Sequence, residues 1–118
     1  MSFKSDLKGA FNAFFYSMSG LRYLLKERAF KQELMVFVIL VIIECFRNTS
    51  SPMLFYMFTS YMLILLAEAL NSAIEATIDR IGSEHHELSK KAKDIGSAAA
   101  FIMMIHFGIV WILSFVIP

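Results

Sequence analysis

The sequence has few of the residues that cover or cross-link a small soluble domain. Charged residues make up only 18% of the 118 residues, whereas hydrophobic residues make up 58%. A domain of this size has much surface per unit volume, and so few polar side chains cannot cover it, so the composition predicts one domain that lies largely in lipid. The single cysteine excludes an intrachain disulfide framework. The net charge of +1 lacks the basic excess typical of nucleic-acid-binding proteins.

Several short motifs are also absent, and each absence argues against a type of site. The chain has neither GxxxxGK(S/T) nor GxGxxG, so P-loop and protein-kinase-like nucleotide sites are not supported. It has no GxSxG motif of the kind that carries a hydrolase nucleophile. The first 20 residues lack the apolar core and small-residue cleavage site of a signal peptide, so we expect the first apolar span to remain as an anchor.

Residues 1–20 show the pattern of an amphipathic helix. Lys4, Lys8 and Asn12 fall outside an apolar stripe with helical spacing, which predicts a helix lying in the membrane surface with its aromatic rings down. The alternative is a helix packed on a protein core. The stripe consists of Phe3, Leu7, Phe11, Phe14, Phe15 and Met18.

Three apolar segments follow, and they predict three membrane helices at about residues 29–47, 52–81 and 95–117. Pro52 suits the first turn of the second helix, and Gly82 suits its end. The segment between the second and third spans is polar. The sequence thus predicts an all-α membrane protein with a surface helix and three spans.

The distribution of lysine and arginine predicts the orientation of these spans. Six basic residues precede the first span, four lie around the junction of the second and third, and only Arg47 lies at the other end. Cytoplasmic loops carry the excess of basic residues, so the N-terminus and the 82–93 loop should face the cytoplasm. The 47–52 turn and Pro118 should face outward, and Glu44 lies near enough to that end to reach the interface.

An acidic stripe follows directly from the second apolar run. At about 100° per residue, Asn71, Glu75 and Asp79 lie within about 60° of Glu68 on one helix face. A solvated helix face would explain such a stripe, but no lysine alternates with these acids. Aligned carboxylates near a membrane are costly unless they have partners, so a bound metal or transferable protons explain the stripe better.

The chain offers further groups that can complete such a site. Oxygen ligands without cysteine favour a hard cation such as Mg²⁺ over zinc. His85 and His86 are adjacent and lack an HExxH or CxxC context, so they do not predict zinc. The candidate partners of the stripe are Glu27, Glu33, Glu84, His86, Lys93 and Asp94.

The run from Glu68 to Ala99 closely resembles the bacterial membrane diacylglycerol kinase family, which includes the undecaprenol kinases. The stretches EALNSAIE and AKDIGSAA carry the resemblance, because matches this long are implausible by chance. Residues 80–89 look more like the diacylglycerol branch found in Gram-negative inner membranes. Shorter similarities occur at Tyr16-Ser17, at Gly20-Leu21-Arg22 and at residues 29–33.

The resemblance implies a homotrimer in which each chain has one surface helix and three transmembrane helices. It implies transfer of the ATP γ-phosphate to diacylglycerol, with Mg²⁺, at the cytoplasmic face of the inner membrane. Phosphatidic acid would be the product, and the reaction would support phospholipid recycling.

The resemblance also implies roles for individual residues. Glu68 looks like the general base, Glu27 and Glu75 look like Mg²⁺ ligands that also contact ATP, and Asn71 and Asp79 support the site. Ser97 and Trp111, together with Glu68, fall where lipid contacts are expected. The other expected nucleotide contacts are Tyr16, Glu84, His85, His86, Lys93 and Asp94.

Other functions remain open from the residues alone. One is an undecaprenol kinase of the same family. Another is a small proton-coupled transporter with Glu68 as its membrane carboxylate, although the acids cluster at one interface rather than at the bilayer middle. A third is a structural or pore-forming protein, which would leave the acidic stripe without a purpose.

Overall fold

The computed structural model describes residues 2–117, which form four α-helices joined by short connections. The helices are α1 (Phe3–Leu24), α2 (Arg28–Cys45), α3 (Ser51–Ile81) and α4 (Glu87–Val116). This part of the chain contains no β-strand, which confirms the predicted all-α class. Met1 and Pro118, included in the predicted 1–20 helix and outward-facing C-terminus, lie outside the described residues.

Helix α1 is longer than the predicted surface helix. Its apolar stripe is exposed. Ser2 caps its first turn, where the Ser2 hydroxyl accepts a hydrogen bond from the Ser5 amide at 3.3 Å. The helix continues past Gly20 to Leu24. None of its residues is buried, and the aromatic side chains of the stripe are exposed. The predicted contact of this stripe with a membrane surface therefore stays a prediction.

Two of the described helices, α3 and α4, are long and apolar enough to cross a membrane. Their 31 and 30 residues correspond to about 45 Å of helix each, which exceeds a hydrocarbon core of about 30 Å. Helix α2 occupies most of the predicted first span. Its 18 residues include four charged side chains, so it contains no stretch of that length as free of charge as those in α3 and α4.

The polar segment predicted as a loop over 82–93 is mostly helical, which is a correction. Only residues 82–86 connect α3 to α4, and α4 begins at Glu87, eight residues before the predicted start of the third span. His86 caps the new helix, because its Nδ1 accepts a hydrogen bond from the Leu88 amide at 3.1 Å. Lys90 and Asp94 then form an ion pair of 2.6 Å one turn apart.

The core lies where α3 packs along α4, and α2 packs against α3. Tyr61 is central to it, since its ring lies 5.1 Å from that of Phe107 on α4 and 5.2 Å from that of Phe37 on α2. Edge-on and tilted aromatic contacts of this kind fix the relative rotation of the helices. Helix α1 has no comparable packing partner among the described helices. The buried residues of the core are Met57, Tyr61, Ile64, Phe107 and Val110.

A polar cluster closes the end of the bundle that holds the α2–α3 turn. Arg47 forms an ion pair of 2.6 Å with Glu44 and donates to the carbonyl and hydroxyl oxygens of Ser114 on α4 at 3.2 and 3.1 Å. Its guanidinium lies 3.9 Å from the centre of the Phe115 ring. Thr49 donates to the other oxygen of Glu44 at 2.7 Å. The turn is thereby attached to the last part of α4.

Candidate active site

Glu68 is the one charged residue among the buried residues of the described chain, and its side chain is 8% exposed. It lies on α3 directly after Ala67 and one turn from Ile64, both buried. Glu33 on α2 lies one turn before Phe37, and because α2 runs antiparallel to α3 this places it on the side toward Glu68. Within residues 2–117, Glu68 makes no ion pair or hydrogen bond. A carboxylate held in apolar surroundings without a fixed partner is available for proton transfer.

One turn further along α3, Asn71 contacts α4. Gly96 lies against it, and a Cβ atom at that position would overlap Asn71 Oδ1. The amide nitrogen of Asn71 donates to Glu75 Oε1 at 3.4 Å. Its oxygen is buried and has no hydrogen-bond partner among the described residues. The oxygen is covered by Gly96, whereas the amide nitrogen faces the exposed Glu75.

The C-terminal end of the acidic stripe is tied to α4 by an ion pair. Lys93 Nζ lies 3.1 Å from Asp79 Oδ1, and both side chains are largely exposed. An exposed pair contributes little to stability, on the order of 0–1 kcal/mol. The ion pair matters because it holds Lys93 at the C-terminal end of the acidic stripe.

A polar cleft of about 410 Å³ surrounds the short α3–α4 connection. It brings together five of the residues expected to contact a nucleotide, and it adds Asp79 and Lys90. Its lysines and histidines give the cleft groups that can bind an anion such as a phosphate. The five expected residues are Glu84, His85, His86, Lys93 and Asp94.

Glu27 lines a different cleft, of about 670 Å³, between the second half of α1 and the second half of α3. Ser72 and Ala76 of α3 line the opposite wall. Ser72 lies three residues before Glu75, and Ala76 directly follows it. Glu27 therefore faces the side of α3 next to the acidic stripe, and no residue of the stripe lines the cleft. Tyr16 is 74% exposed and lies outside it.

The expected metal ligands do not form a complete cage. Across residues 2–117, no three histidine, cysteine, aspartate or glutamate side chains come together as metal ligands do. Mg²⁺ usually binds one or two carboxylates and takes its other ligands from water and substrate phosphates. The stripe fits this pattern, since Glu75 is exposed and can supply one carboxylate.

The comparison with known proteins decides the family. The family model described as "Prokaryotic diacylglycerol kinase" matches residues 15–115. The chain belongs to the prokaryotic diacylglycerol kinase family. The recognition made from the stretch between Glu68 and Ala99 is thereby confirmed. Membership of this family, together with helices able to cross a membrane, indicates that the chain is a membrane protein and a kinase.

Several relatives of the diacylglycerol kinase family match most of the chain. A protein of Escherichia coli (strain K12) named diacylglycerol kinase is 46% identical over 97 residues, which cover 81% of this chain and 80% of the relative. One of Haemophilus influenzae with the same name is 43% identical and covers 81% and 82%. One of Pseudomonas aeruginosa is 38% identical over 109 residues and covers 92% and 89%.

The structure of this diacylglycerol kinase family member separates the two expected lipid contacts. Ser97 is exposed and follows Gly96, so it lies beside the stripe. Trp111 lies fourteen residues later on the same continuous helix, about 21 Å away along its axis. There it contacts Phe107 and stacks on Phe115. The two residues therefore do not meet at one headgroup, and Trp111 lies at the end of the bundle away from Asp79.

Sequence reasoning missed two residues that shape the surroundings of Glu68 in this kinase family member. Gly96 allows α4 to approach Asn71, and Tyr61 donates a hydrogen bond to Glu33. Tyr61 had a usable signal, because it is a polar aromatic residue two helical turns before Glu68 within an apolar run. Gly96 had none, because only the packing of α4 on α3 shows what its missing side chain permits.

Proposed function

We propose that this chain transfers the γ-phosphate of ATP to the hydroxyl group of diacylglycerol and so forms phosphatidic acid. The observation that carries the proposal is the position of Glu68. Its buried carboxylate begins a stripe that continues through Asn71 and Glu75 to Asp79 and the polar cleft. Such a stripe joins an apolar region, where a lipid hydroxyl is available, to a polar region suited to phosphates.

The length of α3 supports a reaction at the membrane interface. Glu68 lies about 26 Å from the first residue of α3, so a hydrocarbon core of about 30 Å that begins there would end near Glu68. The helix then continues for about 20 Å to Ile81. We place this end of the bundle, with the N-terminus and the α3–α4 connection, at the cytoplasmic face of the inner membrane, since ten of the eleven basic residues lie there.

Glu68 acts as the general base in this reaction. The hydroxyl oxygen of the lipid forms the new bond to phosphorus as the bond from that phosphorus to the ADP oxygen breaks, and Glu68 accepts the hydroxyl proton. Phosphoryl transfer depends mainly on positioning and on neutralisation of charge. Lys93 supplies one positive charge at the far end of the stripe, where Asp79 holds it.

Glu75 and Glu27 would hold Mg²⁺, and the Asn71 amide nitrogen would orient Glu75. When bound, the ion neutralises phosphate charge during the transfer. Glu27 is exposed and faces α3 across the cleft between α1 and α3. Glu75 is exposed on α3. The residues of the polar cleft would then contact the nucleotide, Tyr16 would approach it from α1, and Ser97 would contact the lipid.

We further propose that three copies of the chain assemble. In one chain the carboxylates of Glu75 and Asp79 are exposed, and α1 has no extended packing partner. A site for phosphoryl transfer has to exclude water, so it needs cover that a single chain does not supply. Chemical cross-linking of the purified protein in detergent would test this, with a trimer as the expected species and a monomer as the contrary result.

The activity is tested with purified protein in lipid–detergent micelles containing ATP and Mg²⁺. We expect ATP consumption only when diacylglycerol is added, with phosphatidic acid as the product. Undecaprenol is assayed in parallel. A large preference for undecaprenol would contradict diacylglycerol as the substrate but would leave the assignment as a lipid kinase unchanged. Absence of lipid-dependent ATP consumption would contradict the kinase and would favour the transporter.

Replacement of the proposed base gives the second part of the test. Glu68→Gln should lower kcat by about 10²–10⁴-fold, the usual contribution of a general base. Asp6→Asn is the control, since it also removes one carboxylate charge but lies exposed in the first turn of α1. Near-normal turnover by folded Glu68→Gln protein would rule out the assignment.

A further inference from the structure

The hydroxyl group of Tyr61 is not explained by packing. Tyr61 is 2% exposed and its ring fills the core between Phe37 and Phe107, a place that phenylalanine would fill equally well. A buried hydroxyl is costly unless it is hydrogen-bonded. Its partner is therefore the reason to look for a role beyond the core.

Both acceptors near this hydroxyl belong to Glu33. The Tyr61 hydroxyl lies 2.5 Å from the Glu33 carbonyl oxygen and 3.1 Å from Glu33 Oε2. One hydroxyl proton can be donated to only one acceptor at a time. In either case the bond fixes the same residue of α2 against α3.

Glu33 lies on the side of Tyr61 toward Glu68, because α2 runs antiparallel to α3. Phe37 of α2 contacts Phe58 and Tyr61, and Glu33, one turn before Phe37, contacts Tyr61. The rest of the α2–α3 contact is apolar, so little screening separates the charge of Glu33 from that of Glu68. Tyr61 and Glu68 are seven residues apart, so they lie two turns from each other on one face of α3. A shift of Glu33 would therefore change the electrostatic surroundings of Glu68 directly, because the intervening medium screens little.

We propose that Tyr61 is a positioning residue for the transfer reaction, because it holds Glu33 at a fixed place beside Glu68. The role rests on the proposed function and adds to it a residue that acts through Glu33. Tyr61 is not among the residues placed at either substrate in the proposed function. Its effect should therefore fall on the chemical step and leave the binding of ATP at the distant α3–α4 connection unchanged.

The test compares Tyr61→Phe with the wild-type protein. We expect kcat to fall about three- to tenfold, the effect of one net hydrogen bond, with KM for ATP unchanged. Tyr56→Phe is the matched control, since Tyr56 also lies on α3 but is half-exposed and its hydroxyl makes no hydrogen bond within residues 2–117. Unchanged kcat in Tyr61→Phe, or an equal loss in Tyr56→Phe, would overturn the proposal.

A double-mutant cycle separates positioning from a general loss of packing. In a Glu33→Gln background the charge beside Glu68 is already absent, so Tyr61→Phe should change kcat less than twofold. The same fold-loss in both backgrounds would show that Tyr61 does not act through the Glu33 carboxylate, and would overturn the proposal. Should Tyr61→Phe fold poorly, Glu33→Gln alone decides: lowered kcat at constant KM supports the role, and full activity refutes it.

The wild-type assay keeps this proposal distinct from the proposed function. If the wild-type protein consumes no ATP with diacylglycerol or undecaprenol, the kinase itself fails. If the wild-type protein is active and Tyr61→Phe equals it, only the positioning role fails.

Discussion

The close approach of α4 to Asn71 makes Gly96→Ala the most informative single substitution at the α3–α4 contact. The added Cβ would overlap Asn71 Oδ1 and would lie 3.3 Å from Asn71 Cγ and 3.4 Å from Ile74 Cδ1. Alanine gains about 1 kcal/mol over glycine from helix propensity. Overpacking typically costs about 1–3 kcal/mol. We therefore expect a net loss of up to about 2 kcal/mol in the free energy of unfolding.

Activity should suffer more than stability in Gly96→Ala. The side chain that must move is Asn71, which donates to Glu75 in the proposed metal site. A displacement of about 1 Å in a positioned site can lower the rate about 10²-fold. Lipid-dependent ATP consumption per folded protein measures this loss, and thermal unfolding in detergent measures stability. Normal activity with normal stability would refute the close approach.

The chain supplies a matched control on the same helix. A Cβ on Gly108 would meet nothing within 4 Å, so Gly108→Ala should leave activity unchanged and should not lower stability. The double variant Asn71→Ala with Gly96→Ala then tests the cause. Without the Asn71 side chain, the Gly96→Ala substitution should no longer destabilise the protein. An equal destabilisation with and without Asn71 would show that another contact is responsible.

Three further outcomes follow from the structure. Glu75→Ala and Glu27→Ala should each raise the Mg²⁺ concentration that gives half-maximal rate, or remove activity that Mg²⁺ cannot restore; an unchanged titration for Glu27→Ala would remove it from the metal site. Lys93→Ala should raise KM for ATP with little loss of stability, because its ion pair is exposed; unchanged KM would contradict a phosphate contact. Arg47→Ala should lower the free energy of unfolding by about 1–3 kcal/mol, since it leaves Glu44 half-buried without its cation, and the additional change Glu44→Gln should restore part of it.

The sequence predicted the helices well where hydrophobicity and helix formation coincide. The turn at Pro52 and the end of α3 at Gly82 lie where the pattern indicated. Helix α4 begins earlier than the predicted third span, because a hydropathy pattern indicates contact with lipid and does not indicate where a helix begins. Residues 87–94 are polar but include good helix formers, and Lys90 pairs with Asp94 across one turn. A helix can therefore begin well before its apolar part.

In the candidate site, the sequence predicted the arrangement of residues along one helix but not the contacts between helices. Helical periodicity placed Glu68, Asn71, Glu75 and Asp79 on one stripe, and the Asn71–Glu75 hydrogen bond agrees with it. Periodicity on α3 could not show which residues of α2 and α4 meet that stripe. The Tyr61–Glu33 bond and the contact at Gly96 required the packed structure. Glu44 was placed near the outer end, but its partner Arg47 and the attachment to Ser114 were not predicted.

The contacts of α3 occur at separate levels, and this separation has a functional consequence. Helix α2 holds the stripe near Glu68 through Glu33, whereas α4 holds it at Asn71 through Gly96 and at Asp79 through Lys93. A shift of α2 would therefore act first on the proposed base. A shift of α4 would act on the metal and nucleotide positions. Substitutions on the two helices should accordingly change different kinetic constants, with kcat responding to the α2 contact and the requirements for Mg²⁺ and ATP responding to the α4 contacts.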